Sequence, residues 1–139
     1  MVVKIKKLIP AAVIPSYAKP GDAGMDLTAT GLELTGAYYE YKTGLAFEIP
    51  DGYVGLLFPR SSCSNTGFVM ANAVGVIDSK FRGEVTVRFK YVDTSCGRYN
   101  VGDRVAQLII LPYPQINFLE TSELSDTERG TGGYGSSGS

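Results

Sequence analysis

The stretch NAVGVIDSKFRGE, residues 72–84, shows the pattern that decides the fold. Its apolar run AVGVI ends at Asp78, a turn follows, and a β-rich run then extends over 84–92. Short apolar runs bounded by turn residues are typical of strands, whereas a surface helix would show a longer run with a 3.6-residue period. The stretch therefore predicts a β-hairpin with Asp78 at its bend.

The same pattern continues on both sides of this hairpin. Turn residues cluster in KPGDAG (19–24), IPDGY (49–53) and SCGRYNVGD (95–103), and the chain shows no long helical period. Many short strands at regular spacing predict an all-β fold, and at this length a jelly-roll-like β-barrel. The predicted strands are 2–9, 25–29, 45–49, 53–58, 68–71, 84–92, 105–111 and 116–119, and the one predicted helix is 61–66, with Ser61 as its candidate cap.

The composition restricts the classes of function. A chain of 139 residues with 44% apolar residues suits one globular domain, and its net charge of −1 argues against nucleic acid as a partner. It contains no His, which excludes His-dependent catalysis and His-based metal sites. Its only cysteines, Cys63 and Cys96, predict free thiols rather than a disulfide scaffold.

The apolar runs also bear on the location of the protein. They are too short to span a membrane, so no membrane association is expected. Pro10 and Pro15 interrupt the N-terminal apolar stretch, which does not resemble a signal peptide. Both observations predict a cytoplasmic protein.

The chain ends in RGTGGYGSSGS, residues 129–139, which is rich in Gly. Such a segment cannot form a core by itself, so we predict a jelly-roll domain over 1–123 and a flexible Gly-rich arm over 124–139. A disordered tail without function is the alternative interpretation. The arm nevertheless carries Arg129, which can neutralise phosphate, and Tyr134, which can stack on a planar ring, and its glycines would permit the motion of a lid.

Asp78 is the candidate general base. A carboxylate that points inward at the bend of a hairpin could activate water once its pKa is tuned by its surroundings. Phe81 follows three residues later and could pack against a ligand. The alternatives are an ordinary turn Asp and a core Phe.

Three further polar islands could bind phosphate or support such a site. Arg60 and Ser61 begin PRSSCSNTG, where a guanidinium beside free helix N–H groups would form an anion site; an ordinary cap with a surface Arg is the alternative. Asp26 lies at a strand start and either caps a turn or supports a site. Gln107 interrupts an apolar strand, so its amide needs a partner, either backbone, which we slightly favour, or a phosphate oxygen.

Taken together and in this order, these polar segments form a pattern that is specific to one protein family. AGMDL, PRSS, NAVGVIDSKFRGE, GDRVAQLII and RGTGGYGSSG resemble the five motifs of the homotrimeric deoxyuridine triphosphate nucleotidohydrolase (dUTPase) family, and the resemblance spans nearly the whole chain. It implies a jelly-roll trimer with three active sites at subunit interfaces, each built from all three chains. It also implies that the arm closes over the site of a neighbouring subunit.

The resemblance further implies hydrolysis of dUTP to dUMP and pyrophosphate, with a role for each matching position. Asp78 would orient the attacking water, the hairpin would read uracil, and Phe81 would pack under the deoxyribose. Asp26 would support the site, and Mg²⁺ would be held by the phosphates and water without direct protein ligands. The implied substrate-binding residues are Arg60, Ser61, Ser62, Asn72, Gly75, Val76, Ile77, Phe81, Gln107, Arg129, Gly133, Tyr134, Gly135, Ser136 and Ser137.

Three positions depart from the family pattern. Ser62 stands where Gly is usual, Lys80 where an acidic residue is common, and Phe81 where Tyr is usual. These departures bear on the turnover rate more than on the type of reaction, since no expected catalytic group is lost. We expect selection of the sugar to survive, because Phe81 keeps the ring.

Three alternative functions remain at this level. A dCTP deaminase shares the expected fold, but its catalytic Glu would fall at Arg88, and such chains lack the arm motif. A dUTPase-like regulator that binds nucleotide to switch a protein partner would belong to another class, and the intact Asp78 and arm favour retained catalysis. A purely structural jelly roll would require all five motifs to match by accident.

Overall fold

The computed structural model describes residues 1–135 and 138. Within these residues, ten strands follow one another, with a single short helix between the sixth and the seventh. The strands are β1 (Lys4–Lys7), β2 (Met25–Thr28), β3 (Gly31–Leu34), β4 (Tyr39–Lys42), β5 (Leu45–Glu48), β6 (Tyr53–Pro59), β7 (Phe68–Met70), β8 (Gly75–Ile77), β9 (Thr86–Tyr91) and β10 (Arg104–Pro112), and the helix is a 3₁₀-helix, Ser61–Asn65.

The strands form three antiparallel sheets. One four-stranded sheet has the order β2-β10-β6-β8, a second has the order β3-β4-β9-β7, and β1 pairs with β5 in a two-stranded sheet. The all-β prediction is confirmed. The sheets are separate in their hydrogen bonding, so the jelly-roll-like architecture is one of packed sheets rather than a continuously bonded barrel.

The centre of the first sheet is β10, whose sequence RVAQLIILP is strongly apolar. It pairs with β2 on one side and with β6 on the other, so the strand is covered along both edges. Val105, Ala106 and Leu108 are fully buried. A strand with neighbours on both edges and a buried face favours this continuous apolar composition.

The second sheet carries an aromatic core. Along β9, Val87 and Phe89 point inward and are fully buried, while Arg88 is exposed, as the two-residue period of a strand requires. The rings of Phe68 and Phe89 stack with centroids 5.1 Å apart. Tyr41 is completely buried beside them, and its hydroxyl donates a hydrogen bond of 2.7 Å to the carbonyl of Tyr99. Burial raises the pKa of Tyr41 to about 12.

Several local predictions were wrong. The predicted hairpin does not form as a strand pair, because β8 pairs with β6 while β9 pairs with β4 and β7, and residues 78–81 form a turn between two sheets. No strand was predicted over 31–34, 39–42 or 75–77, where the structure has β3, β4 and β8, because these segments are short or mix polar with apolar residues. The predicted strand 116–119 does not form, and Ile116, Phe118 and Leu119 are exposed there. The propensity of a run for β structure does not make a strand unless another strand pairs with it.

The predicted helix over 61–66 exists only as the 3₁₀-helix. Its N-cap residue is Arg60, which makes no side-chain capping bond, so the prediction of Ser61 as the cap was wrong. Five residues leave room for little more than one turn, so the segment does not provide the helix N-terminus that the sequence suggested. Among the described residues, no helix has the length and apolar character needed to cross a membrane.

Candidate active site

A groove opens between β8 and the first half of β9. Strand β8 pairs with β6 along one edge only, and the pairing of β7 with β9 ends at Met70 opposite Phe89. The chain after β7 therefore separates from β9 beyond Ala71, whose N–H still donates to the carbonyl of Arg88 at 2.8 Å. The groove has a volume of about 430 Å³ and is lined by Tyr38, Leu57, Ala71, Asn72, Gly75, Val76, Ile77, Asp78, Phe81, Glu84, Val85, Thr86 and Arg88.

A tight turn causes this separation. Ala73 has a positive φ of 60°, and the N–H of Val74 donates to the carbonyl of Asn72 at 2.6 Å. At Gly75, a Cβ would lie 3.0 Å from the Cβ of Leu57, so a glycine lets the chain pass close to the core at the start of β8. The result is a strand edge whose backbone polar groups face an open groove.

Asp78 follows the last residue of β8 and lines the groove. It is exposed, and its carboxylate makes no hydrogen bond or ion pair with any other described residue. The next two residues hold the turn at 78–81 in place. Ser79 Oγ donates to Asp51 Oδ1 at 3.2 Å, and Lys80 Nζ lies 2.9 Å from the same oxygen. These bonds hold the pKa of Asp51 below its ordinary value.

Phe81 forms part of the wall near Asp78. Its ring is 45% exposed, which leaves a face available to a ligand. The ring lies over Gly83, where a Cβ would come within 2.6 Å of Phe81 Cζ. The glycine therefore permits the position of the ring, and the core alternative for Phe81 is wrong.

A second cluster surrounds Asp26. Arg60 binds its carboxylate through two nitrogens, with Nε 2.7 Å from Oδ1 and Nη2 3.3 Å from Oδ2. Arg104 Nη1 donates to Oδ2 at 3.1 Å. Asp26 is therefore a support for two guanidinium groups rather than a turn cap. Because two cations share one carboxylate, the cluster keeps a positive charge that could attract an anion.

Two more of the predicted residues lie next to this cluster. Ser62 Oγ accepts a hydrogen bond of 3.2 Å from Arg60 Nη1. Gln107 Nε2 donates to the carbonyl of Pro59 at 3.1 Å, so its amide has the backbone partner that was slightly favoured, while contact with phosphate stays a prediction. Ser61 is exposed, and its carbonyl accepts the hydroxyl of Ser64.

The described residues of the arm make no hydrogen bond to either group of residues. Arg129 Nε donates to the carbonyl of Gly132 at 2.8 Å, and Tyr134 is fully exposed with a φ of 54°. Gly133 and Gly135 are the neighbouring predicted residues, with Gly135 at a positive φ. The predicted residues Ser136 and Ser137 lie outside the described part of the chain.

One chain therefore does not assemble the whole predicted site. The groove brings together Asn72, Gly75, Val76, Ile77, Asp78 and Phe81. None of Arg60, Gln107 and Arg129 lines it. Over residues 1–135 and 138, no group of three or more His, Cys, Asp or Glu side chains is arranged to hold a metal ion.

The sequence interpretation overlooked two residues that contact the Asp26 cluster. Arg104 stands inside the GDRVAQLII motif, next to a register shift between Arg104 and Ala106, and its guanidinium binds Asp26. Tyr99 lies in a predicted turn, yet it is buried and its hydroxyl reaches Ser62. No local pattern signals either contact.

Residues 11–138 match the sequence model of the dUTPase family. The chain belongs to the dUTPase family. The match covers nearly the whole chain and selects this family over the dCTP deaminase alternative. A deoxyuridine 5'-triphosphate nucleotidohydrolase from Thermobifida fusca is 41% identical over 98% of this chain and 78% of its own length. The one from Gloeobacter violaceus is 39% identical over 98% of this chain and 96% of its own length.

Solved dUTPase structures agree with this fold. A mutant dUTPase of Staphylococcus bacteriophage 80alpha, determined with dUpNHpp, has 28% identity, a TM-score of 0.87 and 99% coverage of each chain. A mutant dUTPase from phage phi11 of S. aureus has 25% identity and a TM-score of 0.73, and covers 88% of this chain and 98% of its own. That phi11 dUTPase is described as coordinating a structural Mg(II) ion.

Proposed function

We propose that this dUTPase-family chain hydrolyses dUTP to dUMP and pyrophosphate. The observation that carries the proposal is the carboxylate of Asp78, which has no partner among the described residues and lies at the rim of a groove with an open strand edge. The membership in the dUTPase family and the relatives named nucleotidohydrolases support the choice of substrate.

In the proposed reaction, Asp78 orients a water molecule and accepts its proton. The water oxygen attacks the α-phosphorus, the bond to the oxygen bridging the α- and β-phosphates breaks, and pyrophosphate leaves. Triphosphate hydrolysis depends mainly on an in-line nucleophile, on positioning and on neutralisation of charge. A carboxylate that no neighbouring cation neutralises is suited to accept a proton.

The groove between β8 and β9 would select the base and the sugar. The free backbone edge of 75–77 offers donors and acceptors that can pair with the edge of uracil, together with Asn72. This narrow groove would exclude the methyl group of thymine. Phe81 would pack against the deoxyribose and leave no space for a 2′-hydroxyl.

The phosphates would bind to the second cluster and to the arm. Arg60, held by Asp26, would contact phosphate oxygens together with Ser61 and Gln107, and Ser62 accepts a hydrogen bond from Arg60 beside them. The arm over 124–139 would extend from the domain over 1–123 and close over the nucleotide. Its proposed contacts are Arg129, Gly133, Tyr134, Gly135, Ser136 and Ser137.

The site is proposed to form in a homotrimer. The groove of one chain does not contain that chain's own Arg60 or Arg129, so a second and a third chain would supply them. Phe118 and Leu119 are almost completely exposed, and a neighbouring subunit would cover such apolar side chains. Since the substrate is a nucleotide of the intracellular pool, we place the activity in the cytoplasm.

Mg²⁺ is the proposed cofactor. The donor set fits a weakly held ion, because Asp78 is a single exposed carboxylate and the described residues provide no cage of oxygen ligands. Triphosphate oxygens and water would hold the ion, with no direct protein ligand. When bound, Mg²⁺ neutralises phosphate charge.

Pyrophosphate release with Mg²⁺ from dUTP, dCTP, dTTP and UTP, measured in parallel, tests the function. Rapid release from dUTP alone is expected. Release from dTTP would contradict the proposed exclusion of thymine by the groove, and release from UTP would contradict the proposed role of Phe81. No release from any nucleotide, together with intact binding of dUTP, would favour a nucleotide-dependent regulator. Structures of phage dUTPases described as controlling the transfer of virulence genes give that second function its support.

Co-expression of two inactive chains tests the shared site. One chain carries Asp78→Asn and the other lacks 129–139. If each site combines residues of different chains, mixed trimers contain some sites with an intact Asp78 and an intact arm, and activity returns in part. A mixture that stays inactive, although mixed oligomers form, would contradict the shared site.

A further inference from the structure

Arg60 is held from several sides. A guanidinium has five N–H donors, and Arg60 makes four hydrogen bonds: two to Asp26, one of 3.2 Å to Ser62 Oγ and one of 3.4 Å to the carbonyl of Arg104. The bonds to Asp26 use Nε and Nη2, whereas the bonds to Ser62 and Arg104 use Nη1. The group is thus oriented before any ligand is bound.

Ser62 connects this guanidinium to the core. Its hydroxyl oxygen lies 3.1 Å from the hydroxyl of Tyr99, and either oxygen can donate. Tyr99 is only 6% exposed, and its ring packs 5.7 Å from that of Phe89. Its carbonyl accepts the hydroxyl of Tyr41 at 2.7 Å. Burial raises the pKa of Tyr99, so this hydroxyl remains protonated.

We propose that Ser62 and Tyr99 form a positioning pair that fixes the guanidinium of Arg60, so that the one N–H left without a partner among the described residues, on Nη2, is held toward the phosphate of the nucleotide. Asp26 alone fixes one side of the guanidinium, and the Tyr99–Ser62 chain fixes the other by linking it to the aromatic core. A charged group that is oriented in advance loses less freedom on binding and stabilises phosphate charge better. Neither residue of the pair needs to touch the substrate. The inference rests on the proposed function, because it assumes that Arg60 binds phosphate.

Ser62→Ala and Tyr99→Phe test the pair, because each removes one hydroxyl and keeps the rest of the side chain. We expect each variant to bind dUpNHpp about 3- to 10-fold more weakly, the effect of one lost hydrogen bond to a positioned group. Binding of deoxyuridine, which has no phosphate, should not change. The matched control is Ser64→Ala, which removes a hydroxyl from the same 3₁₀-helix that bonds only to the Ser61 carbonyl.

Two double variants show whether the pair acts through Arg60. In an Arg60→Gln background, Ser62→Ala should cause no further loss of dUpNHpp affinity. Ser62→Ala combined with Tyr99→Phe should lose no more than either single change, because both interrupt one chain of bonds. Thermal unfolding of each variant verifies that it is folded.

The outcomes separate this inference from the proposed function. If the wild-type chain does not bind dUpNHpp or hydrolyse dUTP, the proposed function itself fails. If the wild-type chain does both while Ser62→Ala and Tyr99→Phe bind dUpNHpp normally, only the positioning pair is overturned. An equal loss of deoxyuridine affinity, or a full additional loss in the Arg60→Gln background, would also overturn it, since a general structural defect would then explain the result.

Discussion

At the scale of single residues, three aspartates show how contacts distinguish support from chemistry. Asp26 is bound by Arg60 and Arg104, and Asp51 is bound by Lys80 and by Ser79. Asp78 has no such partner among the described residues and lines the groove. Cations already engage the carboxylate oxygens of Asp26 and Asp51, whereas those of Asp78 are open to a water molecule, so Asp78 is the one positioned for proton transfer.

Asp78→Asn should therefore lower turnover of dUTP by about 10²- to 10⁴-fold, the usual contribution of a general base. Binding of dUpNHpp should remain largely intact, because the amide has nearly the same shape as the carboxylate. Steady-state pyrophosphate release and calorimetric titration measure the two effects. Asp22→Asn is the matched control, since Asp22 accepts a bond from the N–H of Lys19 in an exposed turn. Normal turnover of the Asp78 variant would refute the assigned base.

At the scale of elements, Asp51 ties the turn at 78–81 to the β5–β6 turn. It binds Ser79, which is 28 positions away, and Lys80, which is 29 positions away. Both partners of the ion pair are largely exposed, so the tie restrains the bend more than it stabilises the fold. Lys80, where the family commonly has an acidic residue, therefore has a local partner of opposite charge.

We expect Asp51→Ala to loosen the turn at 78–81. Amide hydrogen exchange should accelerate at Phe81, whose N–H donates to the Asp78 carbonyl at 3.1 Å. Asp93→Ala is the control, because it removes another exposed carboxylate with local bonds, to Ser95. The paired exchange Asp51→Lys with Lys80→Asp should restore the protection in part. Unchanged exchange at Phe81 in Asp51→Ala would show that the bend does not depend on the tie.

At the scale of the whole molecule, the aromatic core predicts sensitivity to alkali. The pKa of Tyr41 is about 12 in the fold against 10.0 for an ordinary Tyr. Between these values the unfolded chain loses this proton first, so the free energy of unfolding should decrease as the pH rises from about 10 to about 12. Urea unfolding at several pH values should show a shallower decrease for Tyr41→Phe, and an equal decrease would contradict the assignment.

Deletion of 129–139 tests the role of the arm. Residues 124–135 are exposed or half-buried, and the hydrogen bonds of Arg129 and Gly130 stay within the arm. The free energy of unfolding should change by less than about 0.5 kcal/mol. Turnover should fall by about 10²-fold or more, because donors to the phosphate charge are lost. An unfolded product would show that the arm belongs to the core.

The sequence by itself determined the all-β class, the predicted strands that became β1, β2, β5, β6, β7, β9 and β10, and the motifs of the family. Each depends on neighbouring residues, since a two-residue period, a turn or a short motif is written within about ten positions. It also placed Asp78 at a bend, because an apolar run followed by turn residues is a local signal. The predicted roles of the site residues in catalysis and binding remain predictions.

Only the tertiary structure decided which polar groups meet. Asp26 binds Arg60 from 34 positions away and Arg104 from 78 positions away, and Ser62 meets Tyr99 across 37 positions. No local pattern encodes such pairs, because they arise when separate strands pack in a particular register. The exposed run 116–119 shows the converse: its β-prone sequence pairs with no strand among the described residues, because β propensity alone does not make a strand without a partner.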